Sequence, residues 1–181
     1  MTEGRPASPD DAEESAGAAV SDPNAVSLFE TRLRETLGDR VLEISTNVDE
    51  LQIRVARDQL VEVCGVLKEA EGIDFKYLRC LSVVDWDDDK ETEVVYHLAS
   101  VTHSDKVVVK VRVSTDDPWL PTVIPVWSGA DWHEREGHDL FGIEFHGHPN
   151  MTPLILYDGF EGFPGRKSFP MPEQVTFYGG D

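Results

Sequence analysis

"ELQIRVARDQLVEVCGVL", residues 50–67, changes its hydrophobic period halfway along. Leu51, Ile53 and Val55 alternate with polar residues, the period of a strand that buries one face. Leu60, Val63, Cys64 and Leu67 then fall at i, i+3, i+4 and i+7, the stripe of an amphipathic helix. Asp58 stands where a helix cap is wanted, so a strand over 50–56 passes into a helix that ends near Ala70. Upstream, "RVLEIST" (40–46) alternates in the same way and meets the first strand across the break "NVD", which predicts a hairpin. Before it, Val26, Phe29, Leu33 and Leu37 keep helical spacing with Gly38 as the stop, a helix over about 24–37. Downstream, "FKYLRCLSVVDW", "EVVYHLASV" and "KVVVKVRV" are three runs rich in β-branched residues, divided by polar breaks at 87–91 and 102–106. The order helix, two strands, helix, three strands predicts an α+β fold: two layers, with a mixed sheet of about five strands and two helices on one face.

The 181 residues suit one domain with appendages. With 35 acidic against 16 basic residues the formal charge is -19, which argues against nucleic acid and anionic lipid as partners. The composition is also poor in lysine, which fits either a high-salt cytoplasm or ordinary acidity. No apolar run approaches the length of a membrane span and the N-terminus has no signal-peptide pattern, so direct membrane insertion is not expected. Cys64 and Cys80 are the only thiols, too few for an iron–sulfur cluster or a structural zinc site, and are expected to be reduced and buried. Residues 1–25 hold six acidic side chains, three prolines and many small residues, the composition of a disordered acidic tail.

Three later stretches carry local signals. "DWDDDKETE" places Asp85, Asp87 and Asp89 at alternate positions, but Lys90 and Tyr96 occupy the places where a calcium loop needs glycine and glutamate, so a solvated hairpin turn is expected. "DDPWLPTVIPVW", with prolines at 118, 121 and 125, predicts an extended connector across the surface. Ser128 then stands as cap of a short helix ending at Gly142. From Pro149 onward no period of either kind is found, although Phe160, Phe163, Phe169, Phe177 and Tyr178 lie among repeated proline and glycine.

The densest chemistry is "EREGHDLFGIEFHGHP", residues 134–149. On a helix, Asp131, Glu134, Arg135 and His138 share one face, and Arg135 is within reach of carboxylates on its own helix. An enzyme reading would use His133, Glu134 and His138 as a zinc site, with His146 and His148 as further ligands. His133 and His138 are five apart rather than four, and diverge by about 140° on an ideal helix. No nucleophile elbow or phosphate loop is present. The alternative is structural: Glu134, Arg135, Glu136 and Asp139 pin the connector and the tail to the helix, while Gly142 and Gly147 permit sharp backbone turns.

The stretch "DWHEREGHDLFGIEFHGHP", followed by "FEGFPGRKSF", closely resembles the signature of the C subunit of proton-pumping NADH:quinone oxidoreductase, respiratory complex I, the family of the mitochondrial iron–sulfur protein 3 subunit. The order of elements from about 26 to 114 fits that family's two-layer domain. On this chain the signature falls on Glu134, Arg135, Glu136, Asp139, Phe141, Gly142, Gly147, His148, Pro149, Phe160, Glu161, Gly162, Arg166 and Lys167, which the resemblance marks as partner-binding. It implies a domain over 26–148 and an extended partner-binding tail over 149–181. It also implies a non-catalytic structural subunit of the hydrophilic arm in a hetero-oligomer, attached to subunits D and B. No cofactor is expected on this chain, with FMN and iron–sulfur clusters in partner subunits. The expected location is peripheral, on the cytoplasmic side of the plasma membrane. Relatives also occur in hydrogenase-type and other reductant-driven membrane complexes, so the electron donor stays open. Thr152, Pro153, Phe163, Gly165 and Ser168 depart from the usual family pattern.

Overall fold

The computed structural model describes residues 23–47 and 50–170. The acidic N-terminal stretch up to residue 22, the two residues after Asn47, and the segment holding Phe177 and Tyr178 lie outside the described residues.

Helix α1 (Pro23–Leu37) ends at Gly38, whose φ of 55° is the left-handed conformation that closes a helix, and a 3-10 turn leads into β1 (Val41–Asn47). β1 pairs antiparallel with β2 (Glu50–Val55), as the alternation predicts. Helix α2 (Leu60–Glu69) follows through a 3-10 turn at Arg57–Gln59. Asp58 sits inside that turn and makes no cap; Gln59 takes the cap position without a side-chain bond. β3 (Tyr77–Trp86), β4 (Glu91–Ala99) and β5 (Lys106–Ser114) form an antiparallel meander.

The sheet closes in the order β1-β2-β5-β4-β3, and β2 lies parallel to β5 with Ile53 opposite Val109. The sheet is therefore mixed. Each strand sends one set of side chains to the helices, and Ile53, Val94, Tyr96, Val109 and Val111 meet Leu33, Leu37, Leu60, Val63, Cys64 and Leu67 with no accessible surface at any of them. The other face of the sheet carries a charged set, with Arg112 bonded to Glu91 and Glu93.

The connector departs from the sequence expectation. Leu120, Thr122, Val123, Val126 and Trp127 are buried, and Trp119–Pro121 forms a short strand β6, parallel to β7 (Glu144–His146). Prolines 121 and 125 do not hold this segment at the surface, because the neighbouring N–H groups all find acceptors inside. Thr122 donates to the His146 carbonyl (2.9 Å), and Val126 and Trp127 both donate to the Val123 carbonyl (2.9 Å). The Trp127 indole N–H donates to the Phe75 carbonyl (3.0 Å), so the connector is fastened beneath the start of β3. Helix α3 (Ala130–Phe141) comes next, with Gly129 rather than Ser128 at its cap position and no side-chain cap bond. It joins α1 and α2 on the inner face by resting Gly137 on Val83 of β3, where an added Cβ would lie 3.1 Å from the valine methyl.

Candidate functional site

The "EREGHDLFGIEFHGHP" stretch occupies α3, β7 and the corner after them, and its ionisable side chains turn inward. Glu134 has no accessible surface although it lies on the polar stripe of the helix. Its two oxygens are taken by the connector: the Thr122 hydroxyl donates to Oε2 (2.6 Å) and the Val123 N–H donates to Oε1 (2.7 Å). Burial pushes the Glu134 carboxyl up to about 7, against the pull of those two donors, and Asp131 on the same helix adds to the rise. Burial first, and then the Glu134 carboxylate, hold the Cys64 thiol above its ordinary range, so this cysteine is a neutral core residue. Cys80 is only half-buried, contrary to expectation, with Sγ 3.5 Å from Ser82 Oγ.

One turn further along α3, Asp139 serves the tail. Its Oδ2 accepts three consecutive backbone N–H groups, from Leu154 (3.1 Å), Ile155 (2.8 Å) and Leu156 (2.8 Å). Burial alone would raise this carboxyl, but the three donors, with His138 nearby, bring it below the usual aspartate range. Arg135 grips the preceding residues: Nε donates to the Thr152 carbonyl, and Nη2 to Thr152 Oγ1 and the Pro153 carbonyl, each at 3.1 Å. Its guanidinium thus points to the tail instead of to carboxylates of its own helix. Thr152 and Pro153, two of the departures from the family pattern, are the residues it holds.

The end of α3 is closed by the tail as well as by its own turn. Gly142, with a φ of 72°, sends its N–H to the His138 carbonyl, and His138 Nδ1 donates to the Ile143 carbonyl (2.9 Å). The Gly165 N–H donates to the Leu140 carbonyl (2.9 Å) and Arg166 Nε to the Phe141 carbonyl (2.7 Å). The Lys167 N–H donates to Oδ2 of Asp85 (2.8 Å), a buried carboxylate at the end of β3 and not part of a solvated turn. Gly147 turns the corner with a φ of 87°, and His148 tucks beneath it. Asn150 N–H donates to His148 Nδ1 (3.1 Å), which leaves Nε2 as the protonated nitrogen facing the Asp131 carbonyl (3.3 Å). His146 goes the other way and stacks on Trp119 with centroids 4.5 Å apart.

The remaining signature residues are placed less tightly. Glu136 has no hydrogen-bond or ionic partner among the described residues; with Cys80, Ser82, His133 and Phe141 it lines a groove of about 300 Å³ between α3 and β3. Pro149 and Glu161 are exposed, and Gly162 adopts a φ of 93° beneath the Phe169 ring. The tail does not run straight: turns at 157–160, 163–166 and 166–169 fold it so that Phe160 packs between Tyr157 and Phe169 at 5.4 and 5.9 Å. Tyr157 (71% exposed), Trp132 (67%) and Ile155 (55%) nevertheless face outward.

Chemically, this corner binds backbone. The histidines, carboxylates and arginine that an enzyme reading would assemble point in separate directions, and among the described residues no three His, Cys, Asp or Glu side chains converge as metal ligands. Thr122, Asp85 and Thr152 take part without being singled out by sequence as partners of the corner. Asp85 carries a signal, since it shares the inner face of β3 with Leu81 and Val83; Thr122 and Thr152 carry none.

Comparison with known proteins places these observations in a family. Residues 53–175 match the family described as "Respiratory-chain NADH dehydrogenase, 30 Kd subunit". The chain is 38% identical over 146 residues to the C 2 subunit of the NADH-quinone oxidoreductase of Rhizobium etli, covering 80% of this chain and 78% of that one. It is 37% identical to the C subunit of the NADH-quinone oxidoreductase of Mycolicibacterium gilvum, covering 77% of this chain and 65% of the relative, so it spans just under two thirds of that protein's length. Among solved structures it resembles a chain of an archaeal membrane-bound sulfane sulfur reductase, with a TM-score of 0.72 and 30% identity over 81% of this chain and 86% of that one. It also resembles a trypsin-resistant fragment of Nqo5, with a TM-score of 0.57 and 29% identity over 67% of this chain and 98% of the fragment. The chain belongs to the 30 kDa subunit family of the respiratory-chain NADH dehydrogenase, the family of the C subunit of complex I.

Proposed function

We propose that this chain is a non-catalytic structural subunit of the hydrophilic arm of a proton-translocating NADH:quinone oxidoreductase, where neighbouring subunits carry electrons from NADH to quinone. The observation that carries the reading is the use of the signature's side chains: Glu134, Arg135 and Asp139 are spent on backbone groups of this chain and leave no convergent reactive set. What they build is a shaped corner with Trp132, Ile155 and Tyr157 exposed on it, apolar surface suited to burial against another protein. Subunits D and B are the expected partners, and FMN and the iron–sulfur clusters belong to partner subunits. No helix among the described residues is long and apolar enough to cross a membrane, which supports a peripheral position; the cytoplasmic side of the plasma membrane is the proposed one.

The likeness to a chain of the sulfane sulfur reductase, at the higher TM-score, favours a second reading in which the same kind of subunit serves a complex fed by another reductant. Purification of the affinity-tagged full chain from its native membranes tests both. Co-purification of a homologue of the D subunit with NADH:quinone activity is expected. The same partner with activity from a different donor selects the second reading, and a monomer free of partners overturns both.

A further inference from the structure

Glu134 is a carboxyl with no accessible surface, and two donors hold it. Val123 N–H and the Thr122 hydroxyl both donate to the carboxylate, and Thr122 Oγ1 itself accepts the Ile124 N–H (3.2 Å). The backbone donor at Oε1 cannot become an acceptor. A proton on Oε2 is donated to Thr122 Oγ1, the partner the structure places there, and the threonine hydrogen rotates away. A hydroxyl can make that reversal without moving a heavy atom. The titratable groups facing Glu134 are Cys64 from α2, Tyr96 from β4 and Asp131 from its own helix. Of these, Asp131 adds negative charge, and burial, with Glu134 next among its causes, holds the Tyr96 phenol neutral. Tyr96 Oη is fully buried with no hydrogen-bond partner among the described residues, an unspent hydroxyl dipole, and Asp131 has His148 Nε2 at 3.3 Å from its Oδ1.

We propose that Glu134 is a buried proton-binding switch: uptake of one proton at Oε2 reverses the Glu134–Thr122 hydrogen bond and turns the clasp between α3 and the connector from a charge-assisted pair into a neutral one. No other bond is made or broken, and the proton comes from and returns to solvent. The clasp bears on the signature corner, because the Thr122 N–H holds the His146 carbonyl of β7 (2.9 Å).

The test is an NMR pH titration of the full-length chain with glutamate labelled at the carboxyl carbon, read together with the Val123 amide proton. The expected result is one glutamate carbon and the Val123 amide titrating together near pH 7. The Glu134→Gln variant should lose that titration. Thr122→Val removes the charge-assisted bond of the ionised form and the weaker neutral bond of the protonated form, so the midpoint should move upward by about half to one pH unit. Titration of every glutamate carbon below about pH 5.5, or a midpoint that Thr122→Val leaves in place, would overturn the proposal. The wild-type curve and the threonine variant suffice even if the glutamine variant does not fold.

Discussion

Replacing Asp139 by alanine removes the acceptor of three adjacent N–H groups, and the geometry fixes both the size and the place of the damage. Hydrogen bonds to a charged group contribute about 1.5–3 kcal/mol each when well buried, but Ile155 is exposed and Leu154 and Leu156 are half-buried, so water replaces part of what is lost. A net of about 0.5–1 kcal/mol per donor gives a loss of about 1.5–3 kcal/mol for the three. That loss falls on the docking of residues 152–156 and not on the sheet, whose core is reached through other contacts. Hydrogen exchange reads it directly: amides 154–156 should exchange about 10- to 150-fold faster in the variant, since 1.36 kcal/mol corresponds to tenfold. Asp139→Asn keeps an acceptor without the charge and should fall between. Amides of β4 and β5 should keep their protection in both variants. Unchanged exchange at 154–156, or an equal loss across the sheet, would refute the assignment of Asp139 as the clasp of the tail.

The pH dependence of that clasp has a definite sign. The folded-state carboxyl lies below its ordinary value, so the unfolded tail binds the proton more tightly than the docked one. The stabilisation is therefore complete above the ordinary aspartate value of about 3.9 and disappears as the pH falls through the lower folded value. Docking of 152–156 should survive at pH 5 and fail only in stronger acid. Two other substitutions probe the remaining contacts. At Gly165 an added Cβ would lie 2.7 Å from the Phe141 ring and 2.9 Å from the Leu140 carbonyl oxygen, and the helix backbone cannot yield; Gly165→Ala should cost the 160–170 segment about 1–3 kcal/mol. Limited proteolysis should then cut that segment faster while the thermal transition of the sheet moves little. Glu134 gives the opposite pH sign to Asp139: its folded value of about 7 stands above the ordinary 4.5, so stability falls as pH rises from the lower value to the higher, by about 3 kcal/mol in all. Glu134→Gln should flatten that slope in denaturant melts between pH 5 and 8, and a variant that retains it would show that another group titrates.

How far the sequence can be read depends on whether a signal is periodic. The five strands of the sheet and the first two helices announce themselves, because burying one face forces a period of two or 3.6 on Leu51, Ile53 and Val55 or on Leu60, Val63, Cys64 and Leu67. The parallel pairing of β2 with β5 leaves no such trace, since register between distant strands is set by packing in three dimensions. The connector differs from its expected place for a related reason. Three prolines disqualify a long regular element, but they say nothing about depth, and here Glu134 and the His146 carbonyl accept the N–H groups that would otherwise have kept the segment at the surface. Glu134 itself falls on a polar stripe with Arg135 because helical spacing sorts residues by angle alone. A glutamate that faces a backbone donor is indistinguishable, in sequence, from one that faces solvent.

That last ambiguity accounts for why an acidic signature need not be a catalytic one. Residues 122–127 and 151–170 belong to irregular backbone, which has no ladder to occupy its N–H groups, and every such donor brought out of water must find an acceptor. Three carboxylates supply it: Glu134 for Val123, Asp139 for residues 154–156, and Asp85 for Lys167. Arg135 and Arg166 do the converse for the carbonyls of Thr152, Pro153 and Phe141. The same side chains that in an active site would meet substrate are here matched one by one to main-chain groups, and their opposite titration follows from the match. Asp139, with three donors and a little accessible surface, has its carboxyl drawn below the usual range; Glu134, with two donors and no accessible surface, has its carboxyl pushed up to about 7 by burial.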